Sequence, residues 1–280
     1  MSQASVSFSN PLQIVYRLSR FWLNYRNPLH ILFKRYIAKN GMMAVIDRHT
    51  GVRCNCTVAS YQMFGETWYN KDYDIPHFPI RPGDVVLDIG ANQGFFTCYA
   101  AYQGAQVYAF EPSEQSFQTL MENLEANHLS DRVTARPWAI TSENGLVELI
   151  KTDNLGGGMN TTQPEFAKEI KLQILETSKV EGFSLPHVIE EFNLTKIRLC
   201  KLDCEGAEFE ILKKLDRSHL RKIDAFVLEY HPGYSLNHLL QLLISWGTHQ
   251  ISFAEDNEHC SRNILRLVAH HILLEEGSGL

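Results

Sequence analysis

Val85-Val86-Leu87-Asp88-Ile89-Gly90-Ala91-Asn92-Gln93-Gly94 is the stretch that decides how this chain folds. Val85 to Leu87 are apolar and partly β-branched, the composition of a strand buried on both faces of a parallel sheet. Asp88, Gly90 and Gly94 follow, and Phe95 to Ala101 reads as a helix closed at Gln103-Gly104, with Gly104 as its C-terminal cap. The order is strand, tight glycine turn, helix. Such a turn lies at the carboxyl end of a strand, where open α/β sheets bind ligands, and its glycines let a ligand approach the backbone.

The spacing narrows the ligand. A dinucleotide fingerprint reads G-x-G-x-x-G, whereas this turn reads D-x-G-x-N-x-G, with an acid first. Asp88 is badly placed against a pyrophosphate and well placed against a cation. S-adenosylmethionine carries a sulfonium and an ammonium and no phosphate. A second acid follows one strand later: Gln106 to Phe110 reads as a strand ending in Glu111-Pro112-Ser113, and a carboxylate there can accept both hydroxyls of a ribose. Asp88, Gly90, Asn92 and Gly94 of the turn, Phe95 after it, Glu111, Pro112 and Ser113 at the second tip, and Ala139 at the end of the third strand are the candidate cofactor residues.

Bulk properties exclude several classes. At 280 residues with 44% hydrophobic content, the chain can form one large α/β domain with an appendage. The formal net charge of −6 gives no general affinity for nucleic acid. Six cysteines without a C-x-x-C pair make neither a disulfide scaffold nor a zinc knuckle. No uninterrupted apolar run spans a bilayer, and arginines break up the early apolar residues, so neither a transmembrane segment nor a signal peptide is read. The expectation is a reducing cytoplasm, in which the sequons at Asn55, Asn160 and Asn193 carry no sugar.

Charge is unevenly spread. Met1 to Ile46 hold six basic residues and no acid, leaving 20 basic and 32 acidic residues in the rest. Pro11 to Ala38 reads as two helical pieces broken at Asn27-Pro28, both basic, aromatic and amphipathic. They suit packing on the domain itself, a flap over the site, docking of a partner, or an anionic membrane surface. Met43 to Thr57 reads as a hairpin. Tyr61 to Pro79 is rich in aromatic residues that form core or one wall of a binding site. Residues 1–80 are thus expected to be a helical and hairpin extension, and 81–280 the main domain.

Along that domain, a helix over Glu114 to Asn127 is capped by Ser113. Strand three is expected over Val133 to Ala139, short strands over Gly145 to Lys151 and Leu172 to Thr177, and a helix over Leu185 to Phe192. The glycine-rich stretch Asn154 to Thr162 reads as a surface loop or a mobile cover over a ligand. Strand four is Ile197 to Leu202, strand five Ala225 to Leu228, and a helix follows over Ser235 to Trp246. His249 to Phe253 and Ile264 to Ala269 form a closing antiparallel pair. Alternating strands and helices predict an α/β, doubly wound, mostly parallel sheet with right-handed crossovers.

Polar groups recur at the carboxyl ends of the strands. Beyond Asp88 and Glu111, Asp203, Glu229 and His231 sit there with Lys201 just upstream, and these are the candidate catalytic residues near the acceptor. Asp203 also suits the cap of the helix that follows. Lys201, if buried, needs a partner, and Asp203 shares its face of the strand. Glu229 and His231 share a face too, an arrangement that orients an imidazole as a base. Carboxylates at these tips suit Mg²⁺, but no spacing demands it, and the expectation is no metal.

Val86-Leu-Asp-Ile-Gly-Ala-Asn-Gln-Gly94, Ala109-Phe-Glu-Pro112, Leu124-Glu-Ala-Asn127, Lys201-Leu-Asp-Cys-Glu-Gly-Ala-Glu208 and Leu228-Glu-Tyr-His231 together resemble the FkbM-type methyltransferases, over about Asp84 to His231. The resemblance implies a class I (Rossmann-like) fold with a seven-stranded sheet, S-adenosyl-L-methionine as cofactor, and O-methylation of a hydroxyl on a small natural product or sugar. Deprotonation of that hydroxyl then falls to His231 with Glu229, or to Asp203. N-methylation of a small molecule or peptide is the alternative chemistry, and a non-catalytic cofactor-binding module recruited to membranes is the alternative class. A nicotinamide enzyme would need the absent G-x-G-x-x-G, and a nucleic-acid methyltransferase a basic cleft.

Overall fold

A computed structural model describes residues 19–37, 41–152, 160–169, 173–231, 236–247, 249–253 and 264–269. The glycine-rich stretch up to residue 159 and the first N-terminal helical piece up to residue 18 lie outside them. Thirteen strands are described: β1 (Met42–Ile46), β2 (Arg53–Thr57), β3 (Val85–Ile89), β4 (Gln106–Phe110), β5 (Val133–Arg136), β6 (Ala139–Thr141), β7 (Gly145–Thr152), β8 (Asn160–Thr161), β9 (Ile174–Ser184), β10 (Leu199–Leu202), β11 (Ala225–Glu229), β12 (His249–Phe253) and β13 (Ile264–Ala269). No described helix is long and apolar enough to cross a membrane.

The central sheet has seven strands in the order β12-β13-β11-β10-β3-β4-β5. β11, β10, β3, β4 and β5 run parallel, while β13 is antiparallel to both β11 and β12. The chain enters at β3, winds outward through β4 and β5, then returns to the other side of β3 with β10 and β11. The order therefore reverses between β3 and β10, which opens a crevice above their carboxyl ends. The expected doubly wound, seven-stranded α/β sheet with its closing antiparallel pair is the one observed.

Strand geometry sends successive side chains to opposite faces. Val86 and Leu199 join one core, which also holds Phe95, Phe96, Leu120 and Leu124 from the helices over Phe95–Tyr102 and Glu114–Ala126. Leu87, Ile89, Cys200 and Leu202 join the other, with Leu185, Ile211 and Leu243 from three further helices. The same alternation turns Asp88 and Lys201 toward the first face, and the β10–β3 register sets them directly opposite one another.

The third strand differs from expectation. β5 ends at Arg136, and Ala139–Thr141 leaves the main sheet to pair with β9 in a second, four-stranded sheet, β6-β9-β7-β8. Pro137 lies at the break and has no N–H to continue a ladder. β9 also runs on to Ser184, well beyond the short strand the sequence suggests, because it pairs along almost the whole of β7.

The N-terminal hairpin β1–β2 is not a loose appendage. Val45, Cys54 and Cys56 are buried in the same core as Val86 and Phe95. Asn123 fastens it: its carbonyl oxygen accepts from Asn55 N at 2.6 Å, and its amide donates to Asn55 O at 2.9 Å and Gln93 O at 2.8 Å. One buried side chain thereby joins the hairpin, the helix over Glu114–Ala126 and the glycine turn. Asn123→Ala leaves buried backbone groups unpaired and is expected to cost on the order of 3 kcal/mol, read as a lowered midpoint of urea unfolding at unchanged slope. A loss below about 1 kcal/mol would show that the clamp contributes little.

Candidate active site

The glycine turn owes its glycines to the chain itself. A Cβ on Gly90 would stand 1.9 Å from the backbone oxygen of Asp203, and one on Gly94 would stand 2.9 Å from the Leu120 side chain. Both also have positive φ, +75° and +83°. The turn is thus packed against the end of β10 and against the next helix. Its ligand-facing groups are Asn92, itself at φ +49°, and the backbone around Gly90.

Asp88 does not line the crevice. It is fully buried, and Lys201 Nζ lies 3.1 Å from its Oδ1 while Thr97 Oγ1 donates to its Oδ2 at 2.6 Å. The same ammonium donates to Gly90 O at 2.8 Å and stands 3.8 Å from Asp203 Oδ2. Burial disfavours the charge on Lys201, but the carboxylates of Asp88 and Asp203 outweigh it and raise its pKa further. Asp88, expected at the cofactor, is paired here with an internal cation, and Lys201, expected near the acceptor, lies beneath the glycine turn beside Asp203.

Glu111 bridges the two strand tips. Its Oε2 accepts from Asn92 N and its Oε1 from Ser113 N, both at 2.8 Å. Burial pushes its carboxyl up to about 7, against the opposing pull of those two N–H groups and of Lys201. Ser113 is the helix cap, accepting from Ser116 N, and Phe95 is core, 5.9 Å from the Phe64 ring. Of the candidate cofactor residues, Gly90, Asn92, Glu111, Pro112 and Ala139 line the crevice; Asp88, Gly94, Phe95 and Ser113 support it from behind. Counting its open mouth and the solvent space within it, the crevice encloses about 640 Å³. Phe110, Trp138, Ile140 and Met63 make its apolar side. The aromatic stretch before β3 is mostly core, as with Phe64 and Trp68. Tyr73 reaches the site and donates to Asp203 Oδ2 at 2.8 Å.

The second half of the site surrounds His231. Its Nδ1 is 3.0 Å from Glu208 Oε1, an oxygen that also accepts from Cys204 N and Gly206 N. Glu208 therefore closes the turn after β10 and orients the ring. His231 Nε2 faces Glu205 Oε2 at 3.4 Å, with Asp203 Oδ1 and Glu229 Oε1 each at 3.8 Å. Burial opposes charging the ring, but the Glu208 hydrogen bond and the carboxylates of Glu208, Glu205 and Asp203 prevail and push its pKa up to about 10. Glu205, crowded by burial and by Asp203, Glu208 and Glu229, is pushed well above the carboxylate range in spite of His231. Asp203 and Glu205 line the crevice.

These distances correct the expected pairing. Glu208, not Glu229, is the hydrogen-bonded partner of His231, and the carboxylates around the ring favour its charged form. Glu205 and Glu208 are site residues that the sequence reading passed over. The signal was the density of acids in Asp203-Cys204-Glu205-Gly206-Ala207-Glu208. Gly206 has φ +99°, and a Cβ there would meet the Phe166 ring at 2.9 Å; Glu205 before it is held at φ +50° with its carbonyl accepting from Thr161 Oγ1. That turn aims Glu205 at the imidazole. The candidate ligand atoms of Asp203, Glu205 and His231 lie within 4.8 Å of one another, so these three are the described residues that could hold a metal ion.

A family model described as the methyltransferase FkbM domain matches residues 88–250. Methyltransferase sdnD of Sordaria araneosa is 30% identical over 192 residues, covering 60% of this chain and 73% of that protein. The 31-O-demethyl-FK506 methyltransferase FkbM of Streptomyces tacrolimicus is 30% identical over 201 residues, covering 60% and 74%. The hexuronic acid methyltransferase AglP of Haloferax volcanii is 26% identical over 160 residues, covering 57% and 61%.

The buried pair under the turn makes a sharp prediction. Lys201→Met strands the Asp88 carboxylate and is expected to cost roughly 3–5 kcal/mol. Adding Asp88→Asn to the same chain removes that charge and should recover more than half of the loss. Additive losses in this double-mutant cycle, measured by denaturant unfolding, would show that the two side chains do not interact as described.

Proposed function

We propose that this chain, which belongs to the FkbM methyltransferase family and uses S-adenosylmethionine, methylates a hydroxyl oxygen of a small natural product or sugar, with Glu205 as the group that takes the hydroxyl proton. The observation that carries the reading is the carboxylate of Glu205, raised in basicity and held on the crevice wall against a charged imidazole. One relative supports the oxygen chemistry by its name, the 31-O-demethyl-FK506 methyltransferase, and another, named for hexuronic acid, supports a sugar-like acceptor.

The residues present fit the cofactor. Asn92 Oδ1 is a buried acceptor on the crevice wall without a hydrogen-bond partner. Glu111 keeps lone pairs on both oxygens for ribose hydroxyls. The apolar side formed by Phe110, Trp138 and Ile140 suits a purine ring. When bound, the cofactor supplies an already activated methyl group.

The protein's part is therefore alignment and proton removal. Glu205 is basic enough to accept a proton near neutral pH and exposed enough on the crevice to meet a hydroxyl. His231, fixed by Glu208, offsets the negative charge around Glu205 and stands in for a metal ion as the local cation. Asp203 is held by Tyr73 and Lys201 and borders the same wall, and Glu229 adds to the field that keeps His231 charged. Turnover is accordingly expected to survive EDTA.

The tests separate these roles. Glu205→Gln should lower kcat by about 10²–10⁴ and leave the Kd for S-adenosylhomocysteine within about twofold. A nitrogen acceptor that binds uncharged needs no base, so unchanged turnover in Glu205→Gln would favour N-methylation. The wild-type rate should climb with pH as Glu205 loses its proton, above the usual carboxylate range near ~4.3. His231 lowers the Glu205 pKa, so His231→Gln should move that limb to higher pH. Abolition of the limb would instead make His231 the base.

A further inference from the structure

We infer that the outer face of the helix over Pro28–Ile37 seats this protein on the surface of an anionic lipid bilayer. The inference does not rest on the methyl-transfer reading and concerns residues outside the family match.

The helix is mounted inside out. At 100° per residue, Leu29, Leu32, Phe33, Tyr36 and Ile37 fall on one stripe, and Ile31 falls on the opposite side. An amphipathic helix on a soluble domain turns its apolar stripe inward, yet here Ile31 and Pro28 are buried while Leu29 is 69%, Phe33 60%, Tyr36 89% and Ile37 64% exposed. The mounting is firm. Asn27, just before the helix, donates to Ala44 O at 2.8 Å and accepts from Ile46 N at 3.1 Å, tying the helix start to β1. Trp22 and Leu23, in helical residues 19–24, add two more exposed apolar side chains.

Charge selects the occupant. His30 and Lys34 border the stripe on one side and Arg35 on the other, with its guanidinium 4.7 Å from the centre of the Tyr61 ring. There is no acid before Asp47, whereas the remainder of the chain has twelve more acidic than basic residues. An apolar and aromatic stripe edged by cations matches the headgroup region of an anionic membrane, where the aromatic rings sit at the interface and the cations meet lipid phosphates. A two-fold dimer through this face would bring two sets of cations together. Among the described residues, other exposed apolar side chains such as Tyr102, Met121, Leu146 and Ile244 lie on separate elements.

The test is flotation of the full-length chain with phosphatidylcholine vesicles, with and without phosphatidylserine, at low and high salt. Binding is expected to the phosphatidylserine vesicles, to weaken with salt, and to fall about tenfold or more in Phe33→Asp/Tyr36→Asp and in Lys34→Glu. These side chains are on the surface, so melting temperature and S-adenosylhomocysteine affinity should stay at wild-type values. Absence of binding to phosphatidylserine vesicles, or binding untouched by the Phe33→Asp/Tyr36→Asp change, overturns the inference. So does light scattering that finds a wild-type dimer and a Phe33→Asp/Tyr36→Asp monomer, which would make the face a contact between copies.

Discussion

One ammonium group holds the site together. Lys201 reaches from β10 to the adjacent β3 at the point where the strand order reverses, and there it meets Asp88, the Gly90 carbonyl and Asp203. A crevice at a topological switch point needs two strand tips that diverge above and stay joined below. Hydrogen bonds between the strands end where the tips begin to part, so a side chain has to continue the connection. A buried cation with two acids and a carbonyl does so, and it leaves Asp203 facing the crevice at a fixed height. Replacing such a pair by apolar residues can be neutral for stability; its use here is positional, because it sets the glycine turn and the Asp203–Glu208 turn relative to each other.

Around that pin the site divides into two electrostatic halves. On the β4 side, Glu111 is pinned by two backbone N–H groups, with Asn92 Oδ1 left to be satisfied. On the β10–β11 side, four carboxylates converge on a single imidazole, which responds by holding its proton. Like charges so close cannot all remain ionised at ordinary pH, and Glu205 is the one whose proton affinity rises.

Much of the fold was legible from residue types alone. The run from Val85 to Gly94 gave a strand, turn and helix, and the alternation beyond it gave the sheet, because burial on both faces leaves a continuous apolar signature. The break at Pro137 and the length of β9 were harder, since β9 is a mostly exposed strand whose partner is β7 rather than the core. Asp203, Glu111 and His231 were legible as candidates because they stand at strand tips. The Asp88–Lys201 pairing was not legible for a physical reason: a sequence shows that a carboxylate is present, but the β10–β3 register decides which internal cation it meets. Glu208 was missed because an acid in the first turn of a helix ordinarily answers the helix dipole, and Glu205 because its left-handed backbone, set by the following glycine, redirects its side chain.

The most direct test is a crystal structure of the full-length protein with S-adenosylhomocysteine. The predicted result places the ribose hydroxyls on Glu111, a polar group on Asn92 Oδ1, and the sulfur on the side of the crevice bordered by Asp203 and Glu205. Density for the ligand elsewhere, or with its sulfur turned away from those two carboxylates, would contradict the account.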